Sequence, residues 1–90
     1  MRFDYDENKS QTNLQKHGID FVNAQNLWRD PKGIVVPART TGDEVRYALI
    51  ARHEGKCHVA IFTLRDDMYR IISVRRCRKN EEKNYDNASI

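Results

Sequence analysis

The chain has little of what staples, spans or chelates. Its 90 residues include two cysteines, two prolines, four glycines and one tryptophan. No apolar run approaches the roughly 20 residues needed for a membrane-spanning helix. The opening Met1-Arg2-Phe3-Asp4-Tyr5-Asp6 has no apolar signal-peptide core, so the expectation is a soluble cytoplasmic protein. Cys57 and Cys77 form neither a CxxC nor a metal-ligand spacing, which leaves dithiol redox chemistry and zinc without support. Reduced, partly buried thiols are expected in that compartment, although the hairpin register drawn below sets the two cysteines nearly opposite each other. No His, Asp and Glu cluster has ligand spacing, so no metal or cofactor is expected. No helix carries a row of Arg, Asn and Gln suited to a major groove, which disfavours a repressor.

What is present is positive charge, unevenly placed. Sixteen Lys and Arg against thirteen Asp and Glu give a net charge of only +3, yet Arg46, Arg52, Arg65, Arg70, Arg75, Arg76, Arg78 and Lys79 all fall in the second half. Clustered guanidinium groups favour phosphate contacts. The length suits one domain over residues 1–90, burying about 60–65% of its unfolded surface.

Phe3 and Tyr5 alternate with Asp4 and Asp6, as in a short strand, and Asp6 can cap a helix from about Glu7 to His17 that Gly18 stops. Leu14 is that helix's one strongly apolar residue, so its stability must come from what packs on it. Asp20 caps a second helix, with Phe21, Ala24, Leu27 and Trp28 at helical spacing before Asp30-Pro31. Lys32-Gly33 then turns into Ile34-Val35-Val36, a strand that Pro37 keeps at an edge. After a polar loop over residues 38–43, three antiparallel strands follow, Val45 to Arg52, Cys57 to Leu64 and Tyr69 to Cys77, with turns at 53–56 and at Asp66-Asp67. A charged helix over Arg78 to Tyr85 precedes a frayed tail of five residues. The expected class is α+β, in the order β-α-α-β-β-β-β-α, with two N-terminal helices on a mostly antiparallel sheet.

Pairing Arg52 with Cys57 and Arg65 with Tyr69 sorts the strand residues onto two faces. One collects Tyr47, Leu49, Ala51, Ala60, Phe62, Leu64, Ile72 and Val74, an apolar layer for the helices to cover. The other collects Arg46, Arg52, Thr63, Arg65, Ser73 and Arg75 among Ala48, Ile50, Val59, Ile61 and Ile71. With Glu44 the nearest acid, those arginines would repel one another unless an anion met them. The plainer alternative is a solvated face with a few arginines for solubility.

The pattern Phe3-x-Tyr5-Asp6-x-x-Lys9, Asn13-x-x-Lys16-His17-Gly18-x-x-Phe21-x-x-Ala24, Glu44-x-Arg46, Ile50-Ala51-Arg52, Thr63-x-Arg65 and Arg70-Ile71-Ile72-Ser73-x-Arg75-Arg76-x-Arg78-x-x-Glu81-x-x-x-Tyr85 resembles the BrnT family of bacterial toxins. The resemblance covers nearly the whole chain, with Cys77 standing where the family commonly has a small residue and Ala51 where Gly is frequent. It implies a RelE-like fold and an endoribonuclease toxin of a type II toxin–antitoxin pair. It further implies a BrnA-like ribbon-helix-helix antitoxin, in a heterotetramer of two toxins and two antitoxins that binds operator DNA through the antitoxin.

Metal-free RNA cleavage needs a base for the 2′-hydroxyl, an acid for the 5′-oxygen and cations for the phosphorane. Arg52, Arg65 and Arg75 are the candidates for phosphate clamping, Arg46 extends the patch, and Glu44 is a candidate base or orienter of arginines. Lys16, His17, Arg76, Arg78 and Tyr85 are candidates for RNA contact. His17 could equally be a helix C-terminal residue favoured by the macrodipole, and Tyr85 an aromatic anchor for the last helix. His53 and His58 are expected to be exposed, and Glu81 to pair with Arg78 or Lys83. The competing possibility is a non-catalytic module that binds nucleic acid or an acidic protein segment with the same face.

Overall fold

A computed structural model of the chain describes residues 1–40 and 42–88. Strand β1 (Phe3–Asp4) leads into helix α1 (Glu7–His17), then α2 (Phe21–Ala24), which passes into a 3₁₀ segment (Gln25–Arg29). Strands β2 (Ile34–Pro37), β3 (Tyr47–His53), β4 (Lys56–Arg65) and β5 (Met68–Arg76) follow, and α3 (Lys79–Ala88) comes last. The second expected helix is therefore split. Only Phe21–Ala24 is α-helical, and the tighter winding beyond it still buries Leu27. The expected element order is otherwise found. Helix α3 runs on through Asp86–Ala88, where a frayed tail was expected; Thr41 of the expected 38–43 loop, and Ser89 and Ile90, lie outside the described residues.

The sheet has the order β1-β5-β4-β3-β2, antiparallel except for the β1–β5 pair, with β2 at an edge as Pro37 suggested. Both tight turns use positive φ at two central residues, Glu54 and Gly55 in one and Asp66 and Asp67 in the other, the conformation that matches strand twist in two-residue hairpins. The first hairpin pairs Arg52 with Cys57 as expected. The second pairs Arg65 with Met68, and not with Tyr69.

A bulge corrects the face assignment. Phe62 pairs with Ile71 while Ile61 pairs with Ser73, so Ile72 is the extra residue on β5. Alternation restarts there. Ile71 joins Val74 against the helices, and Arg70, opposite Thr63, turns to the other face with Ser73 and Arg75.

The helix-covered core contains Phe21, Leu27, Leu49, Ala51, Ala60, Phe62, Ile71 and Val74. Trp28 fills one end, edge-on to Phe3 and to Phe62 at centroid distances of 5.0 and 5.3 Å. Leu64, expected in this layer, is largely exposed near the turn.

Helix α1 meets that core through polar side chains. Asp6 caps it by accepting from the amides of Asn8 and Lys9, and Gly18 closes it at φ 76°. Leu14 is mainly exposed, whereas Ser10 and Asn13 are buried. Asn13 Nδ2 donates to the carbonyls of Ile19 (2.8 Å) and Val74 (2.9 Å), Asn13 Oδ1 accepts from the Val74 amide at 3.0 Å, and Ser10 Oγ accepts from the Phe21 amide at 2.9 Å. A sparse apolar face is thus replaced by directional bonds to the strand it covers.

On the opposite face, Ala48, Ile50, Cys57 and Val59 surround Tyr85 of α3. Cys57 and Cys77 are joined in a disulfide across the strand ends, which corrects the expectation of free thiols. The register places their Cα atoms 5.3 Å apart, within bonding range, and the compartment argument could not see that proximity.

Candidate active site

Alternation along β3, β4 and β5 carries the expected arginines to the sheet face under α3 and to its margin, where each meets a carboxylate. At the end of the sheet near the β4–β5 turn, Glu44 receives Arg46 Nε at 3.2 Å through Oε1 and Arg65 Nη2 at 2.8 Å through Oε2. Thr63 Oγ1 donates to the Val45 carbonyl at 2.7 Å, which ties this stretch to β4. The two guanidinium groups hold the Glu44 carboxyl below its ordinary range, first through the Arg46 hydrogen bond and then through that of Arg65. Glu44 and Arg65 line an open cleft of about 340 Å³ with Tyr47 and Thr63, and Val45 and Leu64 expose apolar surface beside it.

Under α3 the pairing is tighter. Arg75 meets Glu81 fork to fork, at 2.7 Å (Nη1 to Oε1) and 2.8 Å (Nη2 to Oε2). Glu81 Oε1 also accepts from the Arg78 amide at 2.8 Å, the backward half of a capping box at the start of α3. These bonds, Arg75 foremost, pull the Glu81 carboxyl down to about 2. Arg52 Nη2 lies 3.2 Å from Asp86 and 3.7 Å from Glu82, and its guanidinium stands 5.3 Å from the Tyr85 ring centroid.

Tyr85 OH donates to Asp30 Oδ2 at 2.7 Å, and the same oxygen accepts from the Arg52 amide at 2.8 Å. Burial opposes ionisation of Asp30, but the hydrogen bonds from Arg52, Lys32 and Tyr85 outweigh it and keep the carboxyl low. Burial, with Asp30 beside it, raises the Tyr85 phenol. Arg70 pairs with Asp4 at the other edge.

The expected repulsion among arginines therefore does not arise. The missing acids come from α3 and from Glu44, elements whose position in space alternation could not supply. Glu81 takes Arg75, not Arg78 or Lys83, as its ion-pair partner. Tyr85 is buried and anchors α3, the plainer of its two expected roles.

The ten candidates fall in separate places. Glu44, Arg46 and Arg65 form the open cluster; Arg52, Arg75 and Tyr85 lie with α3; His17 and Arg76 line a cleft on the helix-covered side. Lys16 is exposed outside that lining, and Arg78 contributes only its amide to Glu81. His53, Lys56 and His58 line the same cleft as His17. His58 is buried, contrary to expectation. Its alternation with Ala60 and Phe62 was the available signal, because it puts His58 on the covered face.

Asp30 was treated only as a helix end, and nothing in its sequence neighbourhood announces a partner in α3. Among the described residues, no group of three or more His, Cys, Asp or Glu could hold a metal ion, and no helix is long and apolar enough to cross a membrane.

Comparison with known proteins adds one match. Residues 5–81 fit the family model of the ribonuclease toxin, BrnT, of type II toxin–antitoxin systems. No curated protein matches the chain.

Proposed function

The chain belongs to the BrnT family of type II toxin–antitoxin ribonuclease toxins, and from that membership we propose that it is an endoribonuclease that cuts RNA without a metal ion. The observation that carries this is Glu44 held between Arg46 and Arg65 at the mouth of an open cleft. The substrate of a ribonuclease toxin is RNA and its partner is a protein antitoxin; the residue roles that follow are our assignment.

Glu44, ionised at neutral pH, accepts the proton of a ribose 2′-hydroxyl. The 2′-oxygen forms its bond to the adjacent phosphorus, the bond from phosphorus to the 5′-oxygen breaks, and the departing oxygen takes a proton from solvent. A 2′,3′-cyclic phosphate and a free 5′-hydroxyl remain. Arg46 and Arg65 face the extra negative charge of the phosphorane, which a fixed guanidinium stabilises more than the ground state. Arg52 and Arg75, paired with carboxylates of α3, fix that helix beside the cluster.

The antitoxin proposed is a ribbon-helix-helix dimer bridging two toxins. It would cover this margin with acidic and apolar side chains, for which the exposed Val45 and Leu64 beside Arg65 provide contact surface. Purified chain free of antitoxin is incubated with total RNA in EDTA, beside Glu44→Gln and Arg65→Ala. Cleavage lost in both variants supports the assignment, and cleavage retained in both overturns it. If the unaltered chain yields no product with free RNA or with translating ribosomes, the face is a binding surface only.

A further inference from the structure

The cations of this protein divide by whether a carboxylate neutralises them. On the α3 side and its margin, Arg46, Arg52, Arg65, Arg70 and Arg75 each pair with an acid. The other eleven Lys and Arg pair with none among the described residues, and of these Lys56 and Arg76 share one cleft. Both line the cleft of about 300 Å³ between the C-terminal end of α1 and the β3–β4 turn, together with His17, His53 and His58. Its single carboxylate, Glu54, is highly exposed and lies 3.7 Å from His53.

The cleft is built and not merely charged. His58 Nδ1 lies 2.9 Å from the Lys56 carbonyl, a contact that requires Nδ1 to be the donor. Arg76 Nε donates to the Cys57 carbonyl at 3.3 Å, and Arg76 pairs with His58 across β4 and β5. Burial, then the charge of neighbouring Arg76, lowers the His58 pKa, so a cationic wall stands around a neutral ring. Ile19 is the one apolar aliphatic side chain in the lining.

We infer that this cleft is a second RNA-binding subsite, holding a backbone phosphate of the strand away from the bond being cut. The inference rests on the ribonuclease reading for its choice of polyanion. Unneutralised Lys and Arg are where a polyanion gains most by releasing counterions. The scarcity of apolar anchors argues against a docked peptide, which needs a buried apolar centre, and fits nucleic acid, whose contacts are polar and cationic. Lys56 and Arg65 terminate opposite ends of the ten-residue strand β4, about 30 Å apart at 3.3 Å per residue. The phosphate held here therefore belongs to a nucleotide several positions removed from the scissile one.

The test is binding of a fluorescent single-stranded oligodeoxynucleotide, which lacks the 2′-hydroxyl and cannot be cut. Binding is thus read whether or not the chain proves to be a nuclease. The double variant His53→Gln/Lys56→Gln is expected to bind at least tenfold more weakly at low salt, with a salt slope shallower by about one, and Lys56→Arg to bind as the unaltered chain. Unchanged affinity in the double variant overturns the inference. So does a loss confined to a polyglutamate probe, which would assign the cleft to an acidic partner segment.

Should the double variant fail to fold, imidazole carbon–proton signals of His17 and His53 in the unaltered chain give a second reading. They must shift on addition of the oligonucleotide, and unmoved signals overturn the inference.

Discussion

Arg75 and Glu81 form a two-pronged ion pair, at 2.7 and 2.8 Å, that closes a loop of only six residues yet joins the last strand to the last helix. Its carboxylate has a depressed pKa in the folded protein, about 2 against an ordinary 4.5. A lowered folded pKa means that the stabilisation is complete above pH 4.5 and is lost as the pH falls toward 2. His58, held below its ordinary 6.5 by burial, resists the protonation that the unfolded chain accepts, so stability starts to decline below about pH 6.5.

Melting temperature followed from pH 7 to pH 2 should therefore fall in two stages, the acid stage accompanied by loss of α3 helicity. Glu81→Gln should lower the melting temperature at pH 7 by roughly 5–15 °C, for a loss on the order of 1–3 kcal/mol, and flatten the acid stage. A variant as stable as the parent at pH 7 would sink the claim that this pair fixes α3.

Glu44 and Arg65 should matter for activity much more than for stability, because both sit at an open margin. Removing one such charge from the reaction is expected to lower kcat about 10²–10³-fold, while melting temperature moves by only about 2 °C or less. Single-turnover cleavage and a thermal melt on the same preparations separate the two effects.

Asn13 should behave as a core residue despite its chemistry. Asn13→Ala leaves the Ile19 carbonyl and both Val74 backbone groups without their side-chain partner in a buried place. The cost is expected at about 2–3 kcal/mol, or a drop of roughly 10–20 °C in a domain of this size. Urea titration would contradict this if the variant's midpoint stayed with that of the parent.

The disulfide joins residues 20 apart in sequence. Closing a loop of that length in the unfolded chain corresponds to about 3 kcal/mol of stabilisation, so a reductant should lower the melting temperature by roughly 10–20 °C. Cys57→Ala/Cys77→Ala should melt where the reduced parent does, and calorimetry with and without reductant checks both.

Local chemistry explains why much of the fold was legible. Asp6, Gly18 and Asp20 end or begin helices through bonds within three or four residues, and such signals survive in the bare sequence. Glu54-Gly55 and Asp66-Asp67 announced their turns for the same reason. The relation between Arg52 and Asp86 was not legible, because the chain returns between them through two further strands before α3 brings the acid back. Likewise, Ser10 and Asn13 look like surface residues on a polar helix, since hydropathy cannot tell a solvated amide from one bonded to a buried strand. In the candidate site, residue types were readable but their neutralisation was not, and that distinction separates the Glu44 cluster from the cleft around His58.

The extra residue Ile72 makes β5 intolerant of miscounting. Upstream of it the odd positions Tyr69 and Ile71 face the helices, and downstream the even positions Val74 and Arg76 do. Deleting one residue between Arg70 and Ser73 would remove the bulge and leave both halves paired as before, whereas deleting one elsewhere in β5 would put the stretch between that point and the bulge out of phase with β4. A change of length is therefore compatible with the pairing to β4 at the bulge or in the turns, and not elsewhere along β5. Any alignment or segment exchange that passes ungapped through this bulge will transfer an arginine to the wrong side of the molecule.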